Sequence, residues 1–210
     1  GKTMASLSMI GKADYRQPVG MMYGGPVYHV PFGDAEAVER QLDICDKIGV
    51  GVAAVLMEPI QGEAGAIVPP DDFWPRIRAA TKKYGTLLIA DEVQTGLGRT
   101  GKLWGVDHWN VVPDILAVAK SLGGGVMPIC AVCTTEEIFK PFMYPNPFLQ
   151  TTTTGGGALA CAAAIAAINV TVRDRLWDVA REKGDYIMPK VQALVEKYPQ
   201  VYKAVTGKGL

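Results

Sequence analysis

Three apolar runs in this sequence end in groups that can move protons or form covalent bonds. Residues 51–57 close on Glu58, residues 86–90 on Asp91 and Glu92, and residues 114–119 on Lys120. A lysine amine can form Schiff bases with carbonyl compounds. A nearby carboxylate holds a cationic partner in its charged form. In open α/β sheets, ligands bind at the carboxyl ends of the strands, so the three run-ends are candidates for one site. One charge at a strand end is ordinary, because strand ends lie near solvent. Three in succession, each followed by a glycine-containing loop, point to a pocket.

Other candidate chemistries fail on spacing. Gly96-Leu97-Gly98-Arg99-Thr100-Gly101-Lys102 matches the start of a phosphate-binding P-loop. Leu103, however, stands where Ser or Thr must hold magnesium, and Trp104-Gly105 follows where a helix must open. This loop is expected to pack at an interface instead. Cys130 and Cys133 form a C-x-x-C in an apolar stretch that reads as a strand, where residues three apart point to opposite faces. There is no second such pair, and His29 and His108 are distant in sequence, so no metal site is expected. Cys45, Cys130, Cys133 and Cys161 read as buried reduced thiols of a cytoplasmic protein.

The elements that must position Glu58, Asp91 and Lys120 alternate. Strands are expected at 51–57, 86–90, 114–119 and 129–133. Their runs are apolar on both faces, which predicts helices on both sides of the sheet. Helices are expected at 34–48, with Asp34 as N-cap and Gly49 as stop, and at 71–84, with Gly85 as stop. A short helix at 136–142 follows the N-cap Thr135, and 159–172 reads as a buried helix. Residues 174–198 read as a long amphipathic helix disturbed at Pro189. The pattern predicts an α/β fold with a mostly parallel sheet flanked by helices. Residues 1–173 belong to one large domain, and 174–210 form a connecting helix and the start of a second.

Composition narrows the function classes. The chain has 210 residues, 49% of them hydrophobic, enough for a packed core. Lys plus Arg and Asp plus Glu number 21 each. The resulting formal net charge of zero argues against a dedicated nucleic-acid binder. No apolar run reaches the length of a membrane span. Residues 1–12 lack the apolar core and cleavage pattern of a signal peptide. Both ends of the chain read as cut points.

Four segments, in order, resemble the signatures of class-III aminotransferases of fold type I, enzymes that use pyridoxal 5′-phosphate (PLP). They are Glu58-Pro59-Ile60-Gln61-Gly62-Glu63, then Asp91-Glu92-Val93-Gln94-Thr95-Gly96 with Gly98-Arg99-Thr100-Gly101 behind it. Next comes Pro113-Asp114-Ile115 with Ala119-Lys120-Ser121-Leu122-Gly123-Gly124-Gly125, and finally residues 151–156. The resemblance covers essentially the whole chain. It implies that Lys120 forms the Schiff base, that Asp91 pairs with the ring nitrogen, that Val93 packs on the ring and that Gln94 bonds near ring oxygen O3′. It also implies a homodimer in which Thr153 binds the phosphate of the partner subunit's cofactor. Thr154 and Gly157-Ala158 depart from the family pattern there, and Thr152 can share the role. Glu63 matches a residue that, in some relatives, pairs with a substrate-binding arginine. Glu58 reads either as support for the pocket floor or as a buried, hydrogen-bonded strand-end glutamate. In the family, the main phosphate-binding turn and the stacking aromatic precede such a stretch, and a C-terminal domain follows it.

Within the family, His29-Val30-Pro31-Phe32-Gly33, Gly123-Gly124-Gly125-Val126-Met127-Pro128-Ile129 and Asn146-Pro147-Phe148-Leu149 look most like putrescine aminotransferases of polyamine catabolism. That resemblance implies an amine donor, putrescine, and a 2-oxo acid acceptor, 2-oxoglutarate. Ornithine, acetylornithine and 4-aminobutyrate aminotransferases share the four broad motifs and remain alternatives. So does a different class: a catalytically incompetent fragment or interaction module built on the same fold.

Overall fold

The computed structural model describes residues 3–18, 27–147 and 149–210. Gly1, Lys2 and Phe148, which figure in the readings above, lie outside them. Within the described residues a single sheet has four strands hydrogen-bonded in chain order: β1 (Ala54–Met57), β2 (Leu87–Asp91), β3 (Ile115–Val118) and β4 (Ala131–Thr134). The first three run parallel and β4 is antiparallel to β3. The β3–β4 connection explains the reversal. It contains a short 3-10 turn (Lys120–Gly123) and no crossover helix, which a parallel return would need.

Helices α1 (Met4–Met9) and α2 (Ala13–Arg16) precede α3 (Ala35–Lys47) and α4 (Phe73–Lys83). The Asp34 side chain accepts a hydrogen bond from the Ala37 amide at 2.9 Å and so caps α3. Gly49 ends the segment in the left-handed conformation, at φ 71°. Val38, Leu42 and Cys45 recur at helical spacing and are buried. In α4 the buried stripe is Phe73, Trp74, Ile77 and Thr81, and Trp74 Nε1 donates to the Pro59 carbonyl at 3.2 Å. These helices cover the sheet face that carries Leu88 and Ala90, both fully buried. Burying a side chain such as Phe73 or Ile77 contributes roughly 1.5–3 kcal/mol.

The structure corrects three expectations. First, cross-strand register puts Val55, Leu88, Leu116 and Cys133 on one face, and Leu56, Ile89, Ile115 and Thr134 on the other. The core forms on the first face. On the second, Leu56 is 45% exposed, and Val132, which also points that way, is 71% exposed. Second, Cys130 and Cys133 are exposed, while Cys45 is buried and Cys161 half-buried. β4 is an edge strand, so its outer flank has no neighbour among the described residues. Third, α6 (Ala158–Arg173), which follows α5 (Glu136–Phe139), is not a buried helix in this chain. Only Ala164 and Thr171 are buried, and Leu159, Ile165 and Val172 face outward. Apolar side chains surround this helix, but only one stripe finds a cover.

Arg175 takes the left-handed conformation and starts α7 (Leu176–Lys197). This helix continues through Pro189, whose ring crowds the carbonyl four residues back; that residue, Asp185, is solvent-exposed. Among the described residues no helix is long and apolar enough to cross a membrane.

One polar latch ties α4 to the sheet. Arg78 Nη1 and Nη2 donate to the two Asp114 oxygens at 2.6 and 2.7 Å, and the Leu88 amide donates to the same carboxylate at 2.7 Å. The Arg78 guanidinium first, with help from the Leu88 amide, holds the Asp114 carboxyl below its ordinary value of 3.8. A carboxylate lowered in the folded state stabilises above its unfolded pKa, and the gain disappears as pH falls through the folded value. Asp114→Asn is therefore expected to cost about 1.5–3 kcal/mol at pH 7 and progressively less as the pH is lowered below 3.8. Urea unfolding of both forms at pH 7 and across a series below pH 3.8 measures the difference; a gap that does not change with pH would exclude the ionic contribution.

Candidate active site

The carboxyl ends of β1, β2 and β3 lie side by side. Met57 is in register with Ala90, and Asp91 with Ala117. Glu58 directly follows β1, Asp91 is the last residue of β2, and Lys120 comes two residues after β3. The Glu92 amide donates to the Ala117 carbonyl at 2.9 Å, which carries the β2–β3 pairing to the site.

Lys120 leaves the strand abruptly. Ala119 is extended, and Lys120 takes φ 48°, a left-handed conformation that costs a side-chain-bearing residue energy. The turn that follows is anchored by Leu122, buried with Val118 and Ala164. Gly124, at φ 63°, lets α6 approach so closely that a Cβ there would lie 3.2 Å from that of Ala167. Packing on both sides thus holds the strained residue. Among the described residues no hydrogen bond or ion pair engages the Lys120 ammonium. It faces a cavity of about 510 Å³ lined on the sheet side by Gln61, Gly62, Gln94, Thr95, Arg99, Lys120 and Ser121. α7 and the tail from Val205 to Leu210 form the opposite wall.

Asp91 Oδ1 accepts from the Val93 amide at 3.0 Å, which bends the chain at the end of β2. Asp91 and Val93 are half-buried, while Glu63 and Thr153 are exposed; none of these four lines the cavity. Glu58 is half-buried and accepts from the Gly62 amide at 2.8 Å. Burial pushes its carboxyl up, the Gly62 amide opposes this, and the charges of Asp91, Lys120 and Glu63 all act on it. The sequence-predicted residues Glu58, Asp91, Gln94 and Lys120 are therefore brought together, and Thr153 stands apart from them.

Glu92 points the other way, into the core, and is 1% exposed. It accepts from the Thr95 hydroxyl and from the Gly105 and Val106 amides, the latter two at 2.9 Å. Its carboxyl is raised by burial against the pull of those three donors. Sequence spacing did not separate Glu92 from Asp91, although alternation along a strand sends neighbours to opposite faces. The glycine loop between Gly96 and Gly101 does pack at an interface, against α7. A Cβ at Gly98 would lie 3.2 Å from the Trp177 amide nitrogen, and one at Gly101 3.1 Å from Arg181 Cβ. Ser121 and Thr95 on the cavity wall carried no separate signal in the sequence, and neither did Lys208, which only the fold brings near.

The sequence profile described as "Aminotransferase class-III" matches residues 1–210. The chain belongs to the class-III aminotransferase family. Solved structures agree. The ornithine aminotransferase of Toxoplasma gondii is 33% identical, with TM-score 0.87 over 100% of this chain and 48% of its own. An acetylornithine aminotransferase from Elizabethkingia anophelis is 40% identical, with TM-score 0.73 over 80% of this chain and 42% of its own. An amine transaminase from an uncultivated Pseudomonas species, solved in its PLP-bound form, is 33% identical, with TM-score 0.83 over 100% of this chain and 51% of its own. This class-III chain thus spans about half the length of the solved relatives it matches.

The donor set suits PLP: an amine that no described residue pairs with, a carboxylate at the adjacent strand end, a carboxamide on the cavity wall and room for a pyridine-sized ring. Glu92 anchors the loop that follows Asp91 and carries Gln94. Glu92→Ala leaves buried donors unpaired and is expected to cost about 3 kcal/mol. It is also expected to raise hydrogen exchange at the Gly105 and Val106 amides. Exchange at those two amides matching the unsubstituted protein would show that the loop does not depend on this carboxylate.

Proposed function

We propose that this chain carries the reactive lysine and ring-binding carboxylate of a PLP-dependent enzyme that moves a terminal amine to a 2-oxo acid. One observation carries the reading: parallel register sets Asp91 beside the strand whose end delivers Lys120, in a left-handed turn, to the cavity. PLP, when bound, supplies an electron sink for the substrate carbon that bears the amine. The Asp91 carboxylate favours a protonated ring nitrogen next to it. Val93 packs on the ring and Gln94 hydrogen-bonds near its oxygen. The Lys120 amine would hold the cofactor at its aldehyde carbon. The same amine, when free, would move a proton between the substrate carbon and C4′ of the cofactor.

Thr153, with Thr152 able to share the role, binds phosphate in the neighbouring subunit's site of a homodimer. Its exposure, away from the Lys120 cavity, supports that assignment. Glu63 serves the substrate side. Residues 1–173 form part of the cofactor domain, and 174–210 lead into a second one. Four unpaired cysteines fit a cytoplasmic location.

The donor assigned is putrescine, with 2-oxoglutarate as acceptor, giving 4-aminobutanal and glutamate. The segments at 29–33, 123–129 and 146–149 support this choice. Ornithine and acetylornithine form the second reading, because relatives with those names match at 33 and 40% identity. Competitive assays with the whole protein are expected to give the highest kcat/KM for putrescine; a higher value for ornithine, acetylornithine or 4-aminobutyrate would reassign the donor. Borohydride reduction of the PLP-treated protein, followed by peptide mapping, is expected to place the pyridoxyl group on Lys120. Lys120→Ala is expected to abolish both label and activity. A label on Lys102 would refute the assignment. A protein that shows only the spectrum of free PLP would instead be an incompetent or purely structural version of the fold.

A further inference from the structure

Glu58 is tied into the site through a neighbour rather than through the cavity itself. Its Oε2 accepts from the Gly62 amide at 2.8 Å across the turn that leaves β1. The loop beyond is closed by a two-way backbone pair, Gln61 N to Ile67 O at 3.0 Å and Ile67 N to Gln61 O at 2.9 Å. The Gly65 and Ala66 amides both donate to the Gly62 carbonyl, at 3.1 and 3.2 Å. Gly62 is therefore held at its carbonyl by backbone alone, and at its amide by the Glu58 side chain.

The exposed edge of Gly62 meets the end of Gln94. A methyl group at position 62 would lie 2.5 Å from Gln94 Cδ and 3.1 Å from Nε2, and would also collide with Oε1. Gly62 is not among the residues with positive φ, so its missing side chain answers to this contact and not to backbone strain. Gln94 is otherwise exposed and lines the Lys120 cavity. A long polar side chain in that setting samples several rotamers unless a surface seats it.

We propose that Glu58 is a positioning residue: by clamping the Gly62 amide it keeps the seat on which the Gln94 carboxamide is held toward the Lys120 cavity. The inference rests on the reading above that Gln94 contacts the cofactor. The ligand concerned is the PLP ring, and the hydrogen-bonded turn, rather than a direct contact, transmits the effect. An acceptor oxygen at position 58 is what the turn requires, so glutamine should replace glutamate there.

The test uses the whole apoprotein titrated with PLP. Affinity and the position of the bound-cofactor visible band are read for five variants: Gln94→Ala, Glu58→Ala, Glu58→Gln, Gly62→Ala and the double variant Glu58→Ala with Gln94→Ala. Gln94→Ala and Glu58→Ala are each expected to weaken PLP binding about five- to tenfold, the scale of one lost hydrogen bond, and to move the band in the same direction. The double variant is expected to stay within about twofold of Gln94→Ala, because the two act on one contact. Glu58→Gln should restore wild-type binding to within about twofold. Gly62→Ala, which keeps the clamp but fills the seat, should reproduce the Gln94→Ala band. If Gln94→Ala leaves affinity and band unchanged, the cofactor role of Gln94 fails and the inference with it. If Gln94→Ala moves them while Glu58→Ala does not, or if the two losses multiply, only the inference fails. Should Glu58→Ala not fold, Gly62→Ala decides, and an unmoved band there overturns the proposal.

Discussion

Parallel pairing in a single register is the constraint on which the site depends. With Met57 beside Ala90 and Asp91 beside Ala117, the ends of three strands meet at one edge of the sheet. Side chains alternate along a strand, so a slip of one residue would exchange the two faces of β2. Leu88 and Ala90 would leave the core, and Asp91 would enter it as an unpaired charge, a costly exchange. The apolar face that α3 and α4 cover therefore also fixes where the carboxylate of Asp91 stands. Stability and site geometry are set by the same choice of register.

Asp91 and Glu92 show how alternation divides labour between adjacent carboxylates. Asp91 ends the strand on the half-open side and, among the described residues, bonds to the Val93 amide nearby. Glu92 turns inward, and three donors satisfy it where no water reaches. A buried carboxylate is tolerable only when so fully paired. Once paired, it binds the chain after β2 to the 3-10 turn at Gly105–Trp109 and stiffens the loop between them. Gly98 and Gly101 lie in that loop and admit the backbone of α7 at van der Waals distance. The wall opposite Lys120 is thus connected to the floor through glycines where a side chain would not fit.

Apolar surface is distributed unevenly. The core around Trp74 is closed, whereas α6 displays Leu159, Ile165 and Val172, and β4 displays Val132. The chain covers about half the length of the solved aminotransferase structures that it matches. Large exposed apolar side chains concentrated on one helix and one edge strand mark surfaces suited to further packing. Only the stripe of α6 that touches Leu122 and Gly124 is committed to holding the Lys120 turn.

Strand ends, helix caps and the candidate carboxylates and lysine were legible in the sequence because they depend on local rules. Asp34 caps the next turn, Gly49 and Gly85 take the left-handed conformation that ends a helix, and apolar runs of four or five residues pair as strands. The four motifs also determined family membership, since their residue types and order suffice for it. Burial was not legible. Residues 159–172 and the cysteines of the fourth strand are apolar enough for a core, yet whether a cover exists depends on elements distant in the chain. The same holds for the Arg78–Asp114 latch, the contact of Gln94 with Gly62 and the tail that lines the cavity. Each joins residues whose separation no local rule reads. Local sequence thus determined which groups could react and where each element stops, and tertiary packing alone decided which of those groups face one another, because alternation and register act only once strands pair.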